Sequence, residues 1–207
     1  MKNKRILFIS PHTDDVELSC GATLARCVRE GVDVFYLALT ATDNWKELIE
    51  EATGSMEIFG ISHNNYEFLD FKDMYFPEQR RKIMEKLEDY RNNVKPDIVF
   101  CPSRNDIHQD HQETTMCALR VFKWSADIYG YNVSWNMVTE PFNPTHFIEV
   151  SKEDVITGLD AVKRYRTQAN KSYVNEHAIV GRARASGVQV GVEYAESFET
   201  YRQVKRL

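Results

Sequence analysis

No stretch of this 207-residue chain approaches the run of about 20 apolar residues that crosses a bilayer. The basic start, Met1 to Arg5, leads only into a short apolar run that ends at Pro11-His12. A secretory leader needs a longer apolar segment and a small-residue cleavage site, so this start reads as a first β-strand, and the protein is expected in the cytoplasm. Cysteine is sparse. Cys20, Cys27, Cys101 and Cys117 form no Cys-x-x-Cys pair, which removes zinc-knuckle and thioredoxin-type readings and leaves reduced, mostly buried thiols. Positive charge is not in excess. A net charge of −5 gives no basic footprint, so no nucleic-acid partner is expected. No Ser/Gly-rich linker, internal repeat or low-complexity tract breaks the chain, and residues 1–207 read as one domain.

Apolar runs and helical spacing alternate along this length. Lys4–Ser10 reads as a strand, Val16–Glu30 as a helix stopped by Gly31, and Val32–Thr40 as a second strand. Strand, helix and strand in that order imply a parallel pair with a right-handed crossover. Trp45–Phe59 reads as a helix ended by Gly60, Asn65–Leu69 as a short strand, Pro77–Asn92 as a helix and Asp97–Cys101 as a buried strand. Glu113–Lys123 reads as a helix, 129–150 as strands and a loop around Pro141 and Pro144, and Asp154–Gln168 and Glu176–Ser186 as helices. The expected fold is α/β: a three-layer, Rossmann-like open sheet, mostly parallel, with helices on both faces. Ligands in such sheets sit beyond the carboxyl ends of the strands, so functional residues are expected just after strands.

The turn after the first strand lacks the glycines that let a phosphate approach. It carries Pro11-His12-Thr13-Asp14-Asp15 instead, and two adjacent carboxylates repel a phosphate. His12 and Asp15 offer nitrogen and oxygen donors of the kind zinc accepts, spaced so that a tight turn into a helix can aim both at one point. The competing reading makes Asp14 or Asp15 a helix cap and His12 an ordinary turn residue. A second cluster, Asp106-Ile107-His108-Gln109-Asp110-His111, follows the strand at Asp97–Cys101 by a short loop. Alone it reads rather as a polar surface loop. Together, one histidine from it with His12 and Asp15 makes the three-ligand set of a catalytic zinc, and the remaining groups are then free for acid–base work.

At these clusters the chain resembles the de-N-acetylases typified by N-acetylglucosaminyl-phosphatidylinositol de-N-acetylase, the LmbE-like proteins. Their His-Pro-Asp-Asp-Glu-type motif reads here His12-Thr13-Asp14-Asp15, and their His-x-Asp-His motif reads His108-Gln109-Asp110-His111. Lys95 to Val99 before the second motif, and Gly187 to Gly191 and Tyr194 to Phe198 near the end, match as well. The sequence departs at Thr13, Val16 and Gln109, all outside the ligands, and at Leu48, where the family often has an arginine ahead of a glutamate, here Glu51.

The resemblance implies a hydrolase that removes an N-acyl group, acetyl foremost, from an amino sugar such as an N-acetylglucosamine conjugate. It implies Zn2+, with Fe2+ also suited to the donors, held by His12, Asp15 and His111. Asp14 is then the general base for the attacking water. His108 is the oxyanion partner, as imidazolium, with Asp110 orienting it. The implied partners are a small N-acetylated sugar and further copies of the chain. Arg104, Asn105 and Glu140 are candidate substrate contacts. Tyr194 and Glu196 either support the site or serve packing, and the aromatics from Tyr66 to Phe76 either wall a sugar or pack in the core, with packing favoured. The rival functions are an amidase for non-sugar or thiol-conjugate amides, a non-catalytic metal or sugar-binding module, and a nucleotide-dependent enzyme.

Overall fold

The computed structural model describes residues 4–41, 45–136 and 140–204. From a first strand, β1 (Arg5–His12), the chain runs through α1 (Asp15–Arg29), β2 (Asp33–Thr40), α2 (Trp45–Phe59) and β3 (Tyr66–Phe68), extending the sheet to one side. It then returns through α3 (Phe76–Asn93) to place β4 (Ile98–Pro102) on the other side of β1, and continues through α4 (Gln109–Phe122) to β5 (Asp127–Tyr131). The last elements are β6 (His146–Glu149), α5 (Lys152–Val162), α6 (Glu176–Val190) and β7 (Ala195–Arg202). The sheet order is β3-β2-β1-β4-β5-β7-β6, parallel from β3 to β5, with β7 antiparallel to both of its neighbours. This is the three-layer, mostly parallel α/β fold expected.

The central strands are apolar throughout because both faces are covered. Ile6 and Phe8 pack on one side with Leu24, Met56, Leu159 and Ala183, which come from α1, α2, α5 and α6. Leu7 and Ile9 pack on the other with Ile83, Leu87, Ala118 and Phe122, from α3 and α4. The chain therefore changes face between β1 and β4. That is the topological switch point, where a crevice opens beyond the strand ends. Both histidine–aspartate clusters leave the sheet there.

Where α1 crosses α5, Gly21 and Gly158 let the backbones meet. A Cβ on Gly158 would lie 3.0 Å from the Gly21 carbonyl carbon and 3.1 Å from the Ala22 nitrogen, both rigid backbone. Gly158→Val is expected to cost about 1–3 kcal/mol by overpacking. The loss should appear as a lower urea midpoint at unchanged slope.

Four elements differ most from expectation, and one of them, α6, runs on to Val190 past the expected Ser186. α4 starts at Gln109, four residues early, because the imidazole of His108 caps it by accepting the Asp110 amide. α5 stops at Val162, after a Ser151–Asp154 capping box, and the chain then turns to bury Tyr165. β7 is a strand that the sequence pattern does not announce. Its glutamates bond inside the fold: Glu196 accepts the Ala22 and Thr23 amides, freed by a kink in α1 at Cys20, and Glu199 accepts from Ser103, Tyr201 and Asn143. Of the span read as strands and loop at 129–150, residues 137–139 lie outside the described residues. Among the described residues, no helix is long and apolar enough to cross a membrane.

Candidate metal centre

The turn after β1 is clamped from below. The Tyr36 and Tyr165 hydroxyls each share their one proton between the Thr13 carbonyl and the buried carboxylate of Glu17, which also accepts from Ser55, the three oxygens lying 2.7–2.9 Å from the carboxylate. Burial raises the Glu17 pKa to about 7 against those three bonds. The backbone at Thr13 is thus tied to β2 through Tyr36 and to the segment after α5 through Tyr165.

Above that clamp, His12, Asp15 and His111 converge. His12 Nδ1 lies 3.1 Å from Asp15 Oδ2, His111 Nε2 lies 3.3 Å from the same oxygen, and the two ring nitrogens are 3.2 Å apart. Donors around a tetrahedral zinc, with bonds of about 2.0–2.1 Å, stand about 3.3–3.4 Å from one another. The triangle therefore fits a small divalent ion with one face open. The outer ring nitrogens meet carboxylates as well: His111 Nδ1 is 2.6 Å from Asp106 Oδ2, and His12 Nε2 is 3.0 Å from Asp73 Oδ1. Such carboxylates fix which nitrogen carries the proton and aim the other.

The charges follow from this packing. Burial disfavours a charged imidazole, yet Asp15 and Asp106 raise His111 to about 9. His12 is likewise raised, its bonds to Asp110, Asp15 and Asp73 overcoming burial. Asp15 is held far below the usual carboxylate range, since the two histidines outweigh its burial. Asp14 moves the opposite way, up to about 7, through burial and then repulsion by Asp15. The helix-cap alternative for these aspartates does not hold. Asp14 occupies the N-cap position of α1 without a capping bond and lines the cavity, and the Asp15 carboxylate is turned back to His12.

His108 also lines this cavity of about 450 Å³. Its expected partnership with Asp110 takes another form. The Asp110 carboxylate accepts the Met74 and Phe76 amides at 2.7 and 3.1 Å and approaches His12 Nε2 at 3.6 Å, and only its backbone amide reaches His108. Burial, followed by repulsion from His111 and His12, lowers the His108 pKa despite the Asp110 charge. The imidazolium expected there is therefore disfavoured.

Sequence reasoning gives no role to Asp73 or Asp106, although Asp106 opens the second cluster. Asp73 has no visible signal, because it depends on a turn in which Met74 adopts a left-handed φ of 67°. That conformation costs a non-glycine residue about 1–2 kcal/mol, and it delivers the Met74 amide to Asp110 while Asp73 reaches His12.

Arg104, Asn105 and Glu140 lie outside the cavity wall. The Arg104 amide donates to the Tyr201 hydroxyl and its guanidinium sits over that ring, Asn105 donates to the Pro141 carbonyl, and Glu140 is exposed. Leu48 does line the cavity, and Glu51 holds the neighbouring Thr167 through its amide and hydroxyl. Tyr194 packs in the core and Glu196 holds the α1 kink. Phe68, Phe71 and Phe76 pack into the core, as favoured, and the aromatic part of the cavity wall comes from Trp135 and Tyr173.

The family model for PIG-L, GlcNAc-PI de-N-acetylase, matches residues 7–122, a span holding both clusters. The chain is 29% identical over 175 residues to the uncharacterized deacetylase YaiS of Escherichia coli (strain K12), covering 80% of this chain and 92% of that protein. It is 32% identical over 124 residues to diacetylchitobiose deacetylase of Thermococcus kodakarensis, covering 53% of this chain and 45% of that longer relative. Among solved structures, the conserved protein TT1542 from Thermus thermophilus matches with a TM-score of 0.79 at 26% identity, over 99% of this chain and 97% of that one.

Proposed function

The chain belongs to the GlcNAc-PI de-N-acetylase family, and from that membership we propose that it is a metal-dependent deacetylase acting on N-acetylated amino sugars. The observation that carries this reading is the donor triangle of His12, Asp15 and His111 with the carboxylate of Asp14 on the same cavity wall. A binding module needs the three donors alone; the adjacent uncommitted carboxylate supports hydrolysis.

Zn2+ is the proposed ion, with Fe2+ also matched by the nitrogen and oxygen donors; when bound, it supplies a Lewis acid and lowers the pKa of water to about 7. Asp14 takes the proton of the attacking water as its oxygen bonds to the acyl carbon. It then returns that proton to the nitrogen as the C–N bond breaks, so the products are the carboxylic acid and the free amine. His108 faces the developing negative charge on the carbonyl oxygen. Because the Asp110 amide donates to Nδ1 at 3.2 Å, a neutral His108 keeps its proton on Nε2 and is a donor without being an imidazolium. Asp106 and Asp73 hold His111 and His12 in their tautomers. Diacetylchitobiose, the substrate named for the Thermococcus relative, is the first compound to try, and a cytoplasmic setting suits four buried, unpaired cysteines.

The test is amine release from N-acetylglucosamine, N,N'-diacetylchitobiose and an open-chain N-acetylated amine, by protein stripped of metal and by protein reloaded with zinc or iron. Release from the sugars that depends on reloading is expected. Reloaded protein that leaves every sugar intact would overturn the assignment.

A further inference from the structure

Two aromatic rings from distant parts of the chain form part of the cavity wall. Trp135 follows β5, and Tyr173 lies in the connection between α5 and α6. Their centroids are 4.2 Å apart with planes inclined by 11°, a close parallel stack. Trp135 is anchored against the core cluster of the first sheet face, so the pair is braced from inside. Both rings are half-buried and share the cavity with Asp14 and His108.

The phenol of Tyr173 is open to a ligand. A buried or half-buried tyrosine hydroxyl normally finds a partner. Tyr36 and Tyr165 do so at Thr13 and Glu17, Tyr131 at the Ile9 carbonyl and Tyr201 at Glu199. Tyr173 has no hydrogen-bond partner among the described residues. It lies within electrostatic reach of Asp14, Asp15 and His12; burial and the two aspartates push its pKa to about 12. The group is therefore a neutral O–H on a ring that stacks on Trp135 and lines the cavity. Core packing accounts for the ring of Trp135, but it does not account for a donor without a protein partner on the wall of the cavity that Asp14 and His108 also line.

We propose that Tyr173, braced by Trp135, is the substrate-positioning residue that selects a sugar ring over other N-acyl amines: the aromatic pair offers an apolar surface to the ring's C–H groups, and the phenol hydrogen-bonds a ring hydroxyl. This rests on the deacetylase reading above. The contact forms with the bound sugar and persists through the reaction, so it belongs in KM and not in kcat.

Tyr173→Phe keeps the stack and removes only the hydroxyl. For N,N'-diacetylchitobiose, KM should rise about 3–10-fold, the range for one lost hydrogen bond, with kcat within about two-fold. Kinetics on an open-chain N-acetylated amine should not change. Calorimetric binding of the disaccharide to metal-free protein should weaken by the same factor, a readout that needs no turnover. Trp135→Leu should weaken sugar binding further and likewise spare the open-chain substrate. Unchanged KM and binding in Tyr173→Phe, with the wild type active on the sugar, would overturn this inference and leave the deacetylase reading standing. Equal losses on both substrates, or a fall in kcat alone, would also overturn it, placing the phenol at the reacting carbonyl or in the scaffold. A wild type that neither binds nor cleaves the sugar while cleaving the open-chain amide would remove the sugar reading and this inference together.

Discussion

Asp14→Asn is expected to lower kcat by about 10²–10⁴-fold, the usual worth of a positioned acid–base group, while metal content stays at the wild-type level. The substitution preserves size and shape at a position where the carboxylate makes no capping bond, so the loss reports chemistry and not folding. In free energy it is a rise of about 3–5 kcal/mol in the barrier. The neighbouring carboxylates cannot substitute. Asp15 is committed to His12 and His111, Asp73 to His12, and Asp110 to the amides of Met74 and Phe76. Turnover and metal analysis on the same preparation decide the matter: a metal-replete Asp14→Asn protein working at near wild-type rate removes Asp14 from the role of base.

The convergence of His12, Asp15 and His111 was legible in the sequence because its chemistry is concentrated in two short runs, each after an apolar strand, and an open α/β sheet brings strand ends together. The second tier was less legible. Asp73 reaches His12 across 61 positions of sequence through a turn with one left-handed residue, and no periodicity records such a turn. The start of α4 was hidden because Gln109 to Gln112 contains no apolar residue and its cap is an imidazole instead of the usual short polar side chain. β7 was hidden for a related reason: a strand whose glutamates are satisfied by amides and hydroxyls from α1 and from the end of β4 does not read as half apolar. The cavity wall shows the same limit. Trp135 and Tyr173 are isolated aromatics in the sequence, whereas the dense run from Tyr66 to Phe76 goes largely to the core. Density of a residue type predicts burial; convergence across the fold predicts a site.

That convergence makes His111 the most consequential of the three proposed metal ligands. His111→Ala deletes one of three donors and is expected to abolish stable metal binding, and activity with it. It also leaves the carboxylates of Asp15 and Asp106 buried without the cation that faces both, and removing one partner from such a buried set costs about 3–5 kcal/mol. Metal-free His111→Ala should therefore unfold at lower denaturant than metal-free wild type. Asp106→Ala separates the two effects. It leaves all three donors in place but removes the acceptor 2.6 Å from His111 Nδ1, so metal affinity should fall about 10–100-fold without being abolished. Competition against a chelator of known affinity, on protein whose fold is checked by circular dichroism, measures both. If folded His111→Ala retains one tightly bound ion per chain, the ion is held elsewhere. The next donors to consider are then His12, Asp73 and Asp110, whose ligand atoms lie within 4.8 Å of one another.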